Sequence, residues 1–287
     1  MSGLRPRLLG ALLGAVAALL PAVVGAAEGR IVVASKIDTE GALLGNMIVS
    51  LLEARGLVVE NKLQLGPTSI VRAAILAGQI DIYPEYTGNG ALFFHLEDDP
   101  VWKDWGKGAA KVAALDREQN HLVWLTAAPA NNTWTIALRR DLAERHDLKT
   151  MADFANYLAS GGGIKLAASA EFVESPAALP AFEATYGFRL KDAQLLTLSG
   201  GNTSATLRAV GLTALADDKG AQVVYAPAPV VREAVLQQHP EIAAVLDPVF
   251  ATLRLETLQK LNAEIAVDGA DAGAVATAYL KSQHFLP

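Results

Sequence analysis

The chemistry available to this 287-residue chain rests on its carboxylates, five histidines and aromatic rings, because it contains no cysteine. That absence removes disulfides, thiolate nucleophiles and a lipid-modified N-terminal cysteine. His95, His121, His146, His239 and His284 are scattered, with no pair at metal-ligand spacing, and read as surface or helix-end residues. A nucleophile elbow, a zinc-protease helix motif and a phosphate-binding loop are all absent from the sequence. Gly88-Asn89-Gly90 lacks the third glycine of a dinucleotide fingerprint, and Gly161-Gly162-Gly163 reads as a flexible connection. Acid pairs such as Asp81 with Glu85, or Glu171 with Glu174, could hydrolyse a glycoside if they flanked a cleft. With 30 acids such pairs arise by chance, so the pattern favours a binder over an enzyme, with no cofactor and no metal.

Three aromatic residues differ from the rest. Most sit where packing explains them: Trp102 and Trp105 in a helix after Pro100, Trp124 and Tyr83 in strands, and Tyr157, Tyr186 and Tyr279 at helical positions. Tyr86, Trp134 and Tyr225 instead lie at strand ends among small or polar residues. The stretch from Ile80 to Gly90, IDIYPEYTGNG, alternates like a strand until Pro84, which predicts a strand ending near Tyr83 and an open loop beyond it.

The elements that must position these rings follow from periodicity. Strands are predicted at Ile31–Ala34, Lys62–Leu65, near Ile80, and at His121–Leu125, separated by helices that begin at Asp38-Thr39-Glu40, Ile70 and Trp102. This alternation favours a parallel sheet. A second series has strands at Thr133–Leu138, Lys165–Ala168, Gln194–Leu198 and Val223–Tyr225. Its helices are Met151–Leu158, Ala177–Tyr186 and Thr203–Val210. Helices at Pro229–His239, Glu256–Ala263 and Ala270–Ser282 end the chain. The whole reads as an α/β protein of two lobes, residues 28–129 plus 227–287 and residues 130–226, joined by crossovers at Ala127–Ala130 and Ala226–Pro229.

Arg5 and Arg7 precede an apolar run from Leu8 to Leu20 and then small residues up to Ala27, the pattern of a secretory leader over residues 1–27. Its removal takes the formal charge from −6 to −8, since the leader holds two arginines and no acid. An acidic chain with no basic stripe has no electrostatic reason to hold nucleic acid. A periplasmic location is the expectation.

The same residues carry a resemblance. Ala34-Ser35-Lys36 with Thr39-Glu40, the run Asp81-Ile82-Tyr83-Pro84-Glu85-Tyr86-Thr87-Gly88, Asn131 to Trp134, Ser169-Ala170-Glu171-Phe172, and Val224 to Pro229 resemble the periplasmic substrate-binding proteins of osmoprotectant ABC importers. That family implies a two-lobed, type II-like periplasmic-binding-protein fold. It would close over glycine betaine, choline or a related quaternary amine and dock on an inner-membrane permease and ATPase complex, acting as a monomer. The resemblance implies an aromatic cage of Tyr86, Trp134 and Tyr225, with Lys36, Thr87, Asn89 and Glu171 as polar contacts. A trimethylammonium group donates no hydrogen bond, so ring faces would recognise it, at about 0.5–2 kcal/mol each. Lys36, just before a helix N-terminus, would meet the ligand carboxylate.

Two departures from the family stand out. Ser175 follows Glu171-Phe172-Val173-Glu174 where many relatives have an arginine for the ligand carboxylate. Relatives also carry a further strand and helix after the counterpart of Thr203–Val210, whereas this chain runs from Val210 to Gly211-Leu212-Thr213. The second lobe is expected to be short by that strand and helix, with an unpaired sheet edge, an apolar gap and weak or no glycine betaine binding. A degenerate sensor or docking protein on the same fold is the alternative reading.

Overall fold

The computed structural model describes residues 29–198 and 212–287. The leader at residues 1–27 and the helix expected at Thr203–Val210 lie outside the described residues.

Asp38 starts the first helix, Thr39–Glu53, by accepting a hydrogen bond from the Gly41 amide at 2.7 Å. Leu43, Leu44, Met47, Ile48, Leu51 and Leu52 recur at helical spacing and are all essentially sealed from solvent. The helix is buried on nearly every side because a mixed sheet lies on one face and the C-terminal helices Leu255–Ala266 and Ala272–Ser282 cover another. The sheet's strands are β1 (Arg30–Lys36), β2 (Val58–Gly66), β3 (Ile82–Tyr86), β4 (Leu122–Trp124) and β9 (Pro227–Arg232), in the order β2-β1-β3-β9-β4.

Two expectations fail at β9. Pro229 was expected to begin a helix, and β3 was expected to stop near Tyr83. Instead β3 runs on to Tyr86, paired antiparallel with β9, with Pro84 opposite Pro229. The reason is register. Hydrogen bonds from Thr87 N to Ala226 O and from Arg232 N to Asp81 O place Pro84 and Pro229 at a non-hydrogen-bonded pair of the β3–β9 ladder, so neither missing N–H is called on between these two strands. Ala228, Val230 and Val231 then sit fully buried in the middle of the sheet. The sheet is therefore not purely parallel: β9 runs against both its neighbours.

The second core is smaller. It gathers Ile136, Leu138, Met151, Phe154, Phe172, Phe182 and Tyr186, among others, around β5 (Ala137–Arg139), β6 (Leu166–Ser169), β7 (Leu195–Leu198) and β8 (Leu212–Ala214). The strand expected over Thr133–Leu138 is only β5, so Trp134 lies before it in irregular chain, and Val223–Tyr225 is not a strand. Among the described residues this lobe has two separate ladders, β5 with β8 and β6 with β7. Between β5 and β6 lies an open groove of about 910 Å3, floored by Trp134, Ile136, Leu138, Phe154, Leu166 and Phe172.

Of the seven aromatics expected in the core, Trp102, Tyr83 and Tyr186 are buried and Trp124, Tyr157 and Tyr279 are half-buried. Trp105 is neither: it is 43 % exposed and its indole N–H reaches the Ala128 carbonyl at 3.1 Å. No helix of the described residues is long and apolar enough to cross a membrane.

Candidate functional site

The end of β3 is built around a buried ion pair. Glu85, fully buried, accepts from Lys36 Nζ at 2.5 Å, the Tyr86 amide at 2.6 Å and Asn89 Nδ2 at 2.7 Å, all on Oε1; its Oε2 takes the Tyr83 hydroxyl at 3.2 Å. Four donors on one carboxylate compensate the desolvation that a buried pair otherwise suffers. Lys36 thus has a partner within the protein, and its ammonium also lies 4.6 Å from the Tyr86 ring centre. Asn89, expected to offer a polar group to a ligand, is committed to Glu85.

Tyr86 is 7 % exposed and its hydroxyl donates to Glu40 Oε1 at 3.0 Å. Burial, with Glu40 and Asp38 nearby, raises this phenol well above its ordinary pKa. Thr87 and Gly88 serve the second crossover. Thr87 Oγ1 donates to Val224 O at 3.2 Å and accepts from the Ala226 amide at 3.1 Å. At Gly88 a Cβ would meet Val224 O at 2.7 Å and the Tyr225 ring at 2.9 Å. The open loop expected here is a short turn between β3 and a helix, Asn89–Phe93, and it admits the chain's own crossover, which explains its small residues without a ligand.

Tyr225 is held by the other crossover. Its amide donates to Asn131 Oδ1 and its carbonyl accepts from the Asn132 amide, both at 2.9 Å. The ring is 4 % exposed. Burial, then the Glu171 and Glu85 carboxylates, push its phenol above the ordinary range. The two carboxylates belong to opposite lobes, so Tyr225 sits where the lobes meet. Glu171 closes that seam: its Oε1 accepts from Thr68 Oγ1 at 2.5 Å. Ser169, the cap of the short helix Ala170–Glu174, accepts from the Phe172 amide at 3.2 Å and so orients this corner.

Trp134 stands apart. Its ring packs edge-to-face on Phe172, 5.5 Å between centres, and faces the second lobe's groove. Among the described residues no ring contact joins Tyr86, Trp134 and Tyr225, although Asn131 and Asn132 bring the chain before Trp134 against Tyr225. Gly88, two residues after Tyr86, lies against the Tyr225 ring, whereas Trp134 packs on the second core.

Sequence reading missed Thr68, Glu40, Asn132 and Asn262. Glu40 sat in plain view as a first-turn helix acid, but its partners come from positions 46, 92 and 222 residues away in the chain. Among the described residues no group of three or more His, Asp or Glu could hold a metal.

Residues 29–282 match the family model "Substrate binding domain of ABC-type glycine betaine transport system". The glycine betaine-binding protein YehZ of Escherichia coli (strain K12) is 53 % identical over 279 residues, covering 90 % of this chain and 92 % of the relative. A glycine-betaine-binding protein of Pseudomonas aeruginosa is 32 % identical over 303 residues, covering 98 % of this chain and 96 % of the relative. Those 279 positions occupy only about 258 residues here, 90 % of 287, so about 20 positions lack a counterpart; the Pseudomonas alignment leaves about the same number. The solved structure of apo YehZ superimposes with a TM-score of 0.64, covering 89 % of this chain and 99 % of that one. A glycine betaine/carnitine/choline ABC transporter structure, 20 % identical, shares the two-lobed fold at a TM-score of 0.68, covering 89 % of this chain and 99 % of that one. This chain belongs to the substrate-binding family of ABC-type glycine betaine transport systems.

Proposed function

We propose that this protein is the periplasmic solute-binding component of an importer for glycine betaine or a related quaternary amine. It takes the ligand between two lobes, residues 28–129 plus 227–287 and residues 130–226, and presents the closed form as a monomer to a permease and ATPase complex. The observation that carries this reading is the seam at Tyr225. A buried ring there lies beside carboxylates from both lobes, Glu85 and Glu171. Of these two carboxylates, Glu85 is already matched by the Lys36 ammonium and Glu171 is hydrogen-bonded to Thr68. Ring faces backed by carboxylates suit a methylated cation, which needs charge compensation but offers no hydrogen bond.

Tyr86 and Tyr225 form one wall of the cage and Trp134 the other, brought up as the lobes close. Glu171 borders the cation and exchanges its Thr68 contact on ligand entry. Thr87, Asn89 and Lys36 hold the tyrosine wall in place, with Lys36 near enough to the first helix's N-terminus to favour a ligand carboxylate.

The segment of about 20 residues without a counterpart is, in this reading, the strand and helix that would have joined β5 to β6, and the groove marks its place. Its loss leaves Trp134 on a poorly supported wall. With Ser175 in place of a carboxylate-binding arginine, the loss should weaken binding by about 2–4 kcal/mol, a factor of tens to a thousand. Calorimetric titration with glycine betaine, choline and carnitine tests the assignment. A weak, saturable heat for at least one supports it; flat traces for all three with the protein folded would leave only the fold.

A further inference from the structure

Glu40 is a buried carboxylate that the cage itself does not use. It lies in the first turn of the helix Thr39–Glu53 and is 6 % exposed. Three separate elements send it donors. The Tyr86 hydroxyl arrives from the end of β3 at 3.0 Å and Asn132 Nδ2 from the first crossover at 3.1 Å, both on Oε1. Asn262 Nδ2 arrives from the helix Leu255–Ala266 at 2.6 Å on Oε2. One carboxylate thus fastens a cleft ring, a crossover between the lobes and the C-terminal helical layer together.

The charged neighbours are few. Asp38, the cap of the same helix, faces Glu40 and Tyr86. From β1 the Lys36 ammonium lies over the Tyr86 ring, but its charge is matched by Glu85 of β3. The crossover and the helix Leu255–Ala266 contribute the neutral amides of Asn132 and Asn262. Asn262 carries a second feature: its Oδ1 is buried with no hydrogen-bond partner. As placed, this amide donates to a carboxylate; turned over, the same side chain would accept the proton of a carboxylic acid. The site can therefore satisfy either charge state. Burial pushes the Glu40 carboxyl up to about 7, against the opposing pull of Asn262, Tyr86 and Asn132.

We propose that Glu40 is a positioning residue for the ligand cleft: ionised, it holds the Tyr86 hydroxyl and the first crossover in register and enriches the ring for a cation, and protonated it releases them, so that affinity follows pH. An anion behind a phenol strengthens the negative face that a quaternary ammonium meets, and a ligand that favours the ionised state must in turn bind less well when that state is depleted. The inference rests on Tyr86 being a wall of the ligand site.

The test is calorimetric titration of glycine betaine into the purified protein from pH 8 to pH 5.5. The wild type should weaken by about 3- to 10-fold over that range. Glu40→Gln should show one pH-independent Kd near the wild-type value at low pH, and Tyr86→Phe, which keeps the ring but not the hydroxyl, should flatten the profile. Identical pH profiles for the wild type and Glu40→Gln overturn the proposal. Tyr86→Leu separates the two readings. If it leaves Kd unchanged, the Tyr86 wall fails; if it weakens binding while the wild type ignores pH, only the role of Glu40 fails. Should no variant bind, amide exchange at Asn132 decides. Greater protection in the wild type than in Glu40→Gln at pH 8, vanishing at pH 5.5, supports the lock, and equal protection at both overturns it.

Discussion

The two lobes solve the same packing problem with unequal success. The first interleaves strands from both ends of its chain into one five-stranded sheet and covers it with helices, and its buried charges at Lys36 and Glu85 are matched. Among its described residues the second carries its strands as two ladders with a groove of about 910 Å3 between them. The groove's floor keeps Ile136, Phe154 and Phe172 buried, while Trp134 and Leu166 are only partly covered. The difference bears on function because the proposed cage draws Tyr86 from the first lobe, Tyr225 from the crossover where the lobes meet and Trp134 from the groove. Affinity is then set by how well the weaker lobe holds its ring.

Matched truncations would strain this contrast hardest. Leu246→Ala, in the sealed first core, should cost about 3–5 kcal/mol in urea unfolding, whereas Leu138→Ala, beside the groove, should cost about 1–2 kcal/mol. Equal costs would mean that the groove is filled in solution. Grafting the segment of about 20 residues from the Escherichia coli relative between Val210 and Gly211 should improve glycine betaine affinity by about 0.5–2 kcal/mol, the share of one ring, because Ser175 stays in place. An unchanged Kd in a folded graft would show that the interrupted sheet is not what limits binding.

A pH series probes the well-supported region. Glu40 holds its proton more tightly folded than unfolded, at about 7 against 4.5. Its stabilising contribution is therefore complete below pH 4.5 and is lost as pH rises through 7, by about 3 kcal/mol. The melting temperature of the wild type should fall over that window relative to Glu40→Gln; parallel curves would place the titration elsewhere. The smallest effect concerns the seam. Thr68→Val removes the bond to Glu171 and should cost about 1 kcal/mol of closure, read as a larger radius of gyration by small-angle scattering without ligand. An unchanged radius would show that this contact does not hold the lobes together.

Local patterns were readable where one element's physics decided the outcome. Asp38 capping a helix of leucines, and the alternation of strands and helices through the first half, needed no partner from afar. β9 was illegible for the opposite reason. Pro227 and Pro229 argue against a strand until the register with β3 shows that their missing N–H groups are not called on between those two strands. The polar residues of the motif around Tyr86 were legible as special but not in role, because Gly88 and Thr87 are explained by a crossover some 137 residues later. Glu40 shows the same limit: a helix-start acid by position, it is a junction by virtue of Tyr86, Asn132 and Asn262.

Composition and motif by themselves determined that the chain is an acidic, cysteine-free α/β protein with tyrosine-bearing stretches of a binding family, because charge, chemistry and short-range periodicity are carried by neighbouring residues. Which carboxylate neutralises Lys36, which ring faces which lobe, and that two prolines lie at the centre of a sheet were decided only in three dimensions. Those outcomes depend on groups brought within 3 Å of one another by the packing of distant segments, and no local pattern encodes that encounter.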